Sequence, residues 1–242
     1  MAASPVYRVL VTGANGFVGQ WLLRALDARF GGNVEILATS RSADVLDGGR
    51  RVEPLDVADP AAVTKAISRF QPSHVVNLAG LASPNVAASN PQDALASHFG
   101  GVLNLGYAIL DHVPSCALLN IGTGMSYGGT AASGDGPLTE DAPLAPLGIY
   151  DATKAAGDMA AGALALRGLR SIRFRPFNHS GPGQTTGYAV PRFANQIARI
   201  EAGLQNELSA GNRDAQKDFL DVRDVVDAYV LAIEKSQSLE PG

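Results

Sequence analysis

The sequence predicts an α/β fold built on a doubly wound parallel sheet, and three observations predict it. Apolar runs of strand length recur at residues 6–12, 34–39, 74–79, 116–122 and 170–177. Most are followed by helical spacing, at 17–30, 60–70, 92–112, 149–167, 190–204 and 222–235, and that alternation is the mark of parallel strands joined by crossover helices. Pro60 and Pro91 stand where a first helical turn tolerates proline. The third observation is the turn from first strand to first helix, Thr12-Gly13-Ala14-Asn15-Gly16-Phe17-Val18-Gly19, with glycines spaced G-x-x-G-x-x-G. Two segments break the rhythm. Gly128, Gly129, Gly134, Gly136, Pro137, Pro143 and Pro146 disfavour helix and strand over 128–148, which is expected to be a loop over the carboxyl edge of the sheet. A second irregular stretch runs over residues 178–187.

Composition narrows the function classes. Hydrophobic residues are 46% and charged residues 17% of the chain, an ordinary globular balance. A net charge of -4 without a basic run argues against nucleic acid, which is held by clustered Lys and Arg. The single cysteine, Cys116, lies in the apolar run Cys116-Ala117-Leu118-Leu119 and is expected in the core; disulfides within the chain are excluded and no metal site is expected. No apolar run reaches membrane-spanning length and the N-terminus carries no basic leader, so a cytoplasmic protein without a membrane partner is the expectation.

The glycine turn follows a strand and opens a helix, the setting in which such a triplet binds a dinucleotide. Glycine lets the backbone approach a pyrophosphate, and the helix N-terminus offers free N–H groups and a positive dipole end. Gly13, Asn15, Gly16, Phe17, Val18 and Gly19 are therefore assigned to the cofactor. The next strand ends Ala38-Thr39-Ser40-Arg41. An NAD site would place a carboxylate there, whereas Arg41 suits a 2′-phosphate, so NADP(H) is expected, with NAD(H) left open. Asp56 and Val57 are placed at the adenine edge, and Leu78, Ala79 and Gly80 beside the dinucleotide. Together these describe a Rossmann-type domain over residues 1–177, a substrate-lobe segment over 178–220, and a helix over 221–242 that returns to the first domain.

Tyr150-Asp151-Ala152-Thr153-Lys154 puts a phenol and an ammonium on one helix face. A free tyrosine titrates near ~10, and a nearby cation lowers that value, so Lys154 is expected to make Tyr150 a working proton donor. Alone, this spacing also fits a plain amphipathic helix. Thr123, at the end of the preceding strand, supplies a hydroxyl for the substrate oxygen.

With Thr123, Tyr150 and Lys154 in this order, the chain resembles the extended short-chain dehydrogenases/reductases. Three segments, Arg175-Pro176-Phe177-Asn178-His179-Ser180-Gly181-Pro182-Gly183-Gln184, Phe193-Ala194-Asn195-Gln196-Ile197-Ala198-Arg199-Ile200 and Lys217-Asp218-Phe219-Leu220-Asp221-Val222-Arg223-Asp224-Val225-Val226, are similar to GDP-mannose 4,6-dehydratases and their sister 4-keto reductases, which make GDP-D-rhamnose. In the dehydratases a glutamate two residues after the catalytic Ser/Thr serves the elimination. Here that position is Met125, which cannot accept a proton, so the resemblance implies a reductase. A dehydratase or epimerase is the enzymatic alternative, and a nucleotide-binding protein without catalysis is the alternative of another class. The resemblance further implies that Asn178 reaches the sugar or diphosphate, that Arg192, Lys217 and Arg223 are candidate cations for the diphosphate, and that a GDP-linked sugar is the substrate. Phe177 is assigned to the cofactor and Val190 and Met125 to the substrate. His98 stands where many relatives have asparagine, either ordering water near Lys154 or packing beneath the site. A homodimer through helices 92–112 and 149–167 is implied as well. Family members continue for some tens of residues past Glu240-Pro241-Gly242, so either the chain is truncated or its substrate lobe is small.

Overall fold

The computed structural model describes residues 7–133, 136–212, 214, 216–236 and 238. Its main sheet has seven strands in the order β3-β4-β2-β1-β5-β6-β7. These are β1 (Tyr7–Thr12), β2 (Val34–Ser40), β3 (Asp44–Val45), β4 (Arg51–Pro54), β5 (His74–Asn77), β6 (Ala117–Ile121) and β7 (Arg170–Phe174). Every pair is parallel except β3 with β4. The chain winds outward from β1 through β2 to β4, crosses back, and continues through β5, β6 and β7. The order reverses between β1 and β5, and in such sheets the ligand crevice opens there, outside the carboxyl ends of the strands. A separate parallel pair joins β8 (Asn178–Ser180) to β9 (Phe219–Asp221).

Helices cover both faces: α1 (Phe17–Phe30), α2 (Pro60–Phe70), α3 (Pro84–Ser89), α4 (Pro91–Leu95), α5 (Gly101–His112), α6 (Gly128–Ser133), α7 (Ile149–Ala165), α8 (Ala189–Glu201) and α9 (Val222–Lys235). Successive strand residues point to opposite faces, so continuous apolar runs serve two cores. Val9, Val11, Val76 and Leu119 meet Leu22, Leu26, Val226 and Tyr229 of α1 and α9. On the other face, Leu10, Val75 and Leu118 meet Val63, Ile67, Leu105 and Leu164 of α2, α5 and α7. Cys116 lies in that second core, where burial pushes its thiol well up. Asp59 caps α2 through Ala61 and Ala62 ahead of Pro60, and Asp221 caps α9 through Arg223.

The structure corrects several element boundaries. The expected helix 92–112 runs without interruption from Pro91 to His112, but its middle widens into a π-type turn at Ala96–Gly100 between α4 and α5. The widened turn brings the His98 carbonyl so close to α7 that a Cβ on Gly157 would lie 2.1 Å from it. Helix α7 ends at Ala165, two residues earlier than expected, and Gly168 turns the chain at φ 100. Helix α8 ends at Glu201 rather than 204, ahead of Gly203 at φ 69. The loop 128–148 contains the short helix α6, because Gly128 at φ 43 folds the segment onto Ala145, whose carbonyl accepts from Gly129 N at 2.8 Å. The stretch 178–187 begins with β8. The two-residue β3 carries no alternation to betray it. Val6, Gly134 and residues 240–242 lie outside the described residues. No helix among the described residues is long and apolar enough to cross a membrane, and no group of three His, Cys, Asp or Glu there is placed to hold a metal.

One buried carboxylate ties the sheet to the loop over its edge. Asp158 of α7, 1% exposed, accepts from Arg173 Nη1 at 2.9 Å and from Arg175 Nε at 2.7 Å. Arg175 also donates to the Glu140 carbonyl at 2.8 Å and the Tyr127 hydroxyl at 3.0 Å. Removing the carboxylate takes a shared buried counter-charge from two guanidinium groups, at a cost of about 3 kcal/mol. Asp158→Ala is therefore expected to lower the melting temperature by roughly 5–10 °C in a thermal scan, with Asp158→Asn in between; an unchanged value would refute this role.

Candidate active site

At the reversal of strand order, three buried polar side chains stand side by side on neighbouring strands. Thr12 Oγ1 donates to Asn77 Oδ1 at 2.8 Å, Asn77 Nδ2 donates to Asn120 Oδ1 at 3.1 Å, and Ala79 N donates to Thr12 Oγ1 at 3.1 Å. The row fixes where β1, β5 and β6 end, so that Gly13, Leu78 and Thr123 leave the sheet at one edge. Gly13 has φ 65, and a Cβ there would lie 2.9 Å from the Leu78 carbonyl oxygen. Gly19 is required by packing, since its Cβ would lie 2.5 Å from Gly13 O. Helix α1 then starts at Gly16 with no side-chain cap and no acidic residue in its first turn. Its first N–H groups, including those of Phe17 and Val18, are left for an anion. This cradle fits the pyrophosphate of a dinucleotide.

Ala14 N donates to the Thr39 carbonyl at 2.9 Å, seating the glycine turn on the end of β2. Arg41 follows, exposed. Across from it Asp44, on β3, accepts from Asn15 Nδ2 at 3.1 Å, a carboxylate the sequence reading did not place. Asp56 follows the end of β4, and its Oδ1 accepts from Ala58 N at 2.9 Å. Val57 is buried against Gly101, with its carbonyl held by Asn104 at 2.9 Å. Phe177 stacks on Tyr127 with ring centroids 6.4 Å apart and covers Gly124.

Lys154 Nζ donates to the Ile121 carbonyl at 3.0 Å, joining α7 to the strand end that carries Thr123. Burial lowers the Lys154 pKa to about 8. The Tyr150 pKa is pushed up to about 12, by burial first and then by Tyr188 and Asp151. This corrects the expectation that the phenol's pKa is lowered: one of the three Lys154 donors goes to the Ile121 carbonyl, and desolvation of the phenol dominates the shift. His98 lies beneath the site, 3% exposed, with Nδ1 2.9 Å from Thr153 Oγ1 and its ring edge-on to Tyr150 at 5.6 Å. Burial and then Lys154 lower its pKa to about 3, so it is neutral at working pH. Gly80, at φ 144, makes room for this ring, since a Cβ there would lie 2.4 Å from His98 Cδ2. Thr123 is buried, its Oγ1 accepting from Met125 N at 3.2 Å, and the Met125 side chain is exposed. Tyr188, which the sequence reading missed, faces the same cleft with its hydroxyl 3.5 Å from the Ala82 carbonyl; its place just before α8 was the available signal.

The expected substrate residues are brought together only in part. Asn178 Nδ2 donates to the Asp218 carbonyl at 3.1 Å, holding the loop that carries Lys217. Val190 and Arg192 sit at the start of α8, both exposed. Arg223 stands exposed at the start of α9, with its guanidinium paired to Asp221 at 2.6 and 2.9 Å. A groove of about 660 Å³ between α8 and the β8–β9 pair is lined by Ser180, Gln184, Val190, Asn195, Phe219 and Asp221. None of Thr123, Tyr150 or Lys154 lines it.

Comparison with known proteins agrees with this architecture. GDP-6-deoxy-D-mannose reductase of Pseudomonas aeruginosa is 33% identical over 237 residues, which cover 96% of this chain and 72% of that protein. A putative epimerase from Burkholderia cenocepacia superposes with a TM-score of 0.80 at 30% identity, over 97% of this chain and 73% of that one. The structure of Pseudomonas aeruginosa RMD complexed with NADPH gives 0.77 at 31% identity, over 96% and 73%. The profile of the NAD dependent epimerase/dehydratase family matches residues 9–242. The chain therefore belongs to the NAD dependent epimerase/dehydratase family, as an NAD(P)-dependent enzyme of the extended short-chain dehydrogenase/reductase type.

Proposed function

We propose that this chain reduces the C4 keto group of a nucleotide-linked 4-keto-6-deoxy sugar, GDP-4-keto-6-deoxymannose, using NADPH. The observation that carries reduction over dehydration is Met125. It is 42% exposed beside Thr123 and has no proton to give or take, at the position where an elimination needs an acid or base. The relative with the matching name and the NADPH-bound relative support the sugar and the cofactor.

A reduced nicotinamide, when bound, would supply the hydride for C4. Tyr150 gives its phenolic proton to the carbonyl oxygen, completing the alcohol, and recovers a proton from water. With its pKa raised to about 12, the phenol stays protonated through neutral pH and is loaded for donation. Thr123 orients the carbonyl through its hydroxyl. Lys154, on the Ile121 carbonyl, holds the cofactor ribose and keeps a positive charge by the phenolate that forms. Asn178, Lys217 and Arg192 receive the diphosphate; the glycine turn and α1 hold the cofactor pyrophosphate.

Purified protein mixed with GDP-4-keto-6-deoxymannose and NADPH is expected to oxidise one cofactor per sugar reduced. A dehydratase or epimerase would leave the cofactor level unchanged, and no turnover with NADPH or NADH would refute the reading. Tyr150→Phe is expected to lower kcat by about 10²–10⁴-fold while NADPH binding by fluorescence is retained; equal activity would remove Tyr150 as donor. A lysine carries its charge below its pKa, so Lys154, at about 8, loses it as pH rises. The rate is expected to fall through an alkaline limb near pH 8, and a flat profile to pH 10 would contradict the role of that charge.

A further inference from the structure

At the amino edge of the sheet, away from the candidate active site, a histidine fastens the last helix to a central strand. His74 opens β5 and Ser236 follows α9, and both are buried. His74 Nε2 lies 2.9 Å from Ser236 Oγ, and Nδ1 lies 2.9 Å from Ser73 Oγ. Ser73 Oγ in turn accepts from Arg8 N at 2.9 Å and donates to the Arg8 carbonyl at 3.2 Å, so the bonds run from β1 to α9. With the Ser73 hydrogen spent on Arg8, the ring donates from Nδ1 to Ser73, and its bare Nε2 accepts from the Ser236 hydroxyl. Arg170 of β7 donates from Nη1 to the Ser236 carbonyl at 2.8 Å. The residue that ends α9 is thus gripped by an imidazole and by a guanidinium together.

The surroundings hold the ring neutral. Tyr7 of β1 lies beside it with ring centroids 5.9 Å apart. Arg8 turns its guanidinium to the Phe70 carbonyl and Glu35, while on α9 Glu234 is paired with Arg29 and Lys235 is exposed. Among the described residues no carboxylate pairs with His74 or with Arg170. Burial first, and then Arg170, lower the His74 pKa to about 4, against a smaller opposing pull from the Ile233 carbonyl. Both serine hydroxyls can turn to accept from an imidazolium, so no hydrogen bond need be lost; the closed arrangement resists a second buried charge beside Arg170. We propose that His74 is an acid-sensitive clasp, protonation of its ring releasing Ser236 and the last turn of α9 from β5 ahead of global unfolding. A helix end opens at lower free energy than core strands. Released into water the ring titrates near ~6.5, and held in place it titrates at about 4. The open form therefore binds the proton more tightly between those values; the clasp is at full strength above about pH 6.5 and weakens as pH falls toward about 4. Between pH 7 and pH 5 the opening constant rises roughly 20-fold. Neither the cofactor nor the sugar enters this equilibrium.

Amide hydrogen exchange of the full chain by NMR at pH 7 and pH 5 tests the clasp, read as protection factors so that the intrinsic pH dependence of exchange is removed. The amides of residues 233–235 are expected to lose protection roughly 20-fold on acidification, and at both pH values to stay less protected than those of β6. His74→Gln keeps a neutral polar side chain that cannot titrate, and should make the same amides insensitive to pH. Arg170→Gln removes the neighbouring charge; it should raise the midpoint of the His74 Hε1 shift toward ~6.5 and shrink the loss of protection. Should the glutamine variant at position 74 fail to fold, the wild-type and Arg170→Gln measurements decide. No loss of protection at the end of α9, the same loss in His74→Gln, or equal protection there and in β6 would overturn the clasp. A wild-type His74 midpoint near ~6.5 would overturn it as well.

Discussion

The hydrogen-bonded row of Thr12, Asn77 and Asn120 is the constraint on which the site depends. All three side chains are buried at the carboxyl ends of adjacent strands, and each would cost free energy there without its neighbour. A slip of one residue in β1, β5 or β6 would turn one of them to the opposite face and break the row. Its integrity therefore fixes the register at which Gly13 turns toward α1, Leu78 crosses the mouth, and Thr123 leaves β6. The apolar interior holds the sheet together, but this polar row decides where the sheet ends.

From that edge outward, each part of the site is placed by a close approach that one residue type permits. Gly13 passes the Leu78 carbonyl, Gly80 yields to the His98 ring, and Gly157 yields to the His98 carbonyl. His98 is thus wedged beneath Tyr150, and α7 carries the phenol and Lys154 over the strand end. The loop after β8 is joined to α1 by Trp21 Nε1, which donates to the Pro182 carbonyl at 3.0 Å, and by Gly181, packed on Val222 near Phe17. These contacts seat the loop 180–187 on α1, at whose start the glycine turn lies.

Much of this was legible in the sequence. Periodicity located the long strands and helices, because continuous apolar runs and helical spacing report burial directly. The glycine turn and the Tyr150–Lys154 spacing were legible because each is local. What escaped was set by contacts between distant segments: the Asn15–Asp44 bond, the π-type turn at Ala96–Gly100 that packs on α7, and the pairing of β8 with β9. The sense of the Tyr150 shift escaped for the same reason. Spacing places Lys154 near the phenol, while tertiary packing directs its ammonium to Ile121 and brings Tyr188 close instead.

The central claim, that Tyr150 and the glycine-turn cofactor act together as a carbonyl reductase, is tested most directly by isotope transfer. GDP-4-keto-6-deoxymannose is incubated with protein and NADPH deuterated at the transferable position of the nicotinamide ring, and the sugar product is examined by NMR. The account predicts one deuterium at sugar C4 for each cofactor oxidised. A product without deuterium at C4, formed while the cofactor is not consumed, would contradict it.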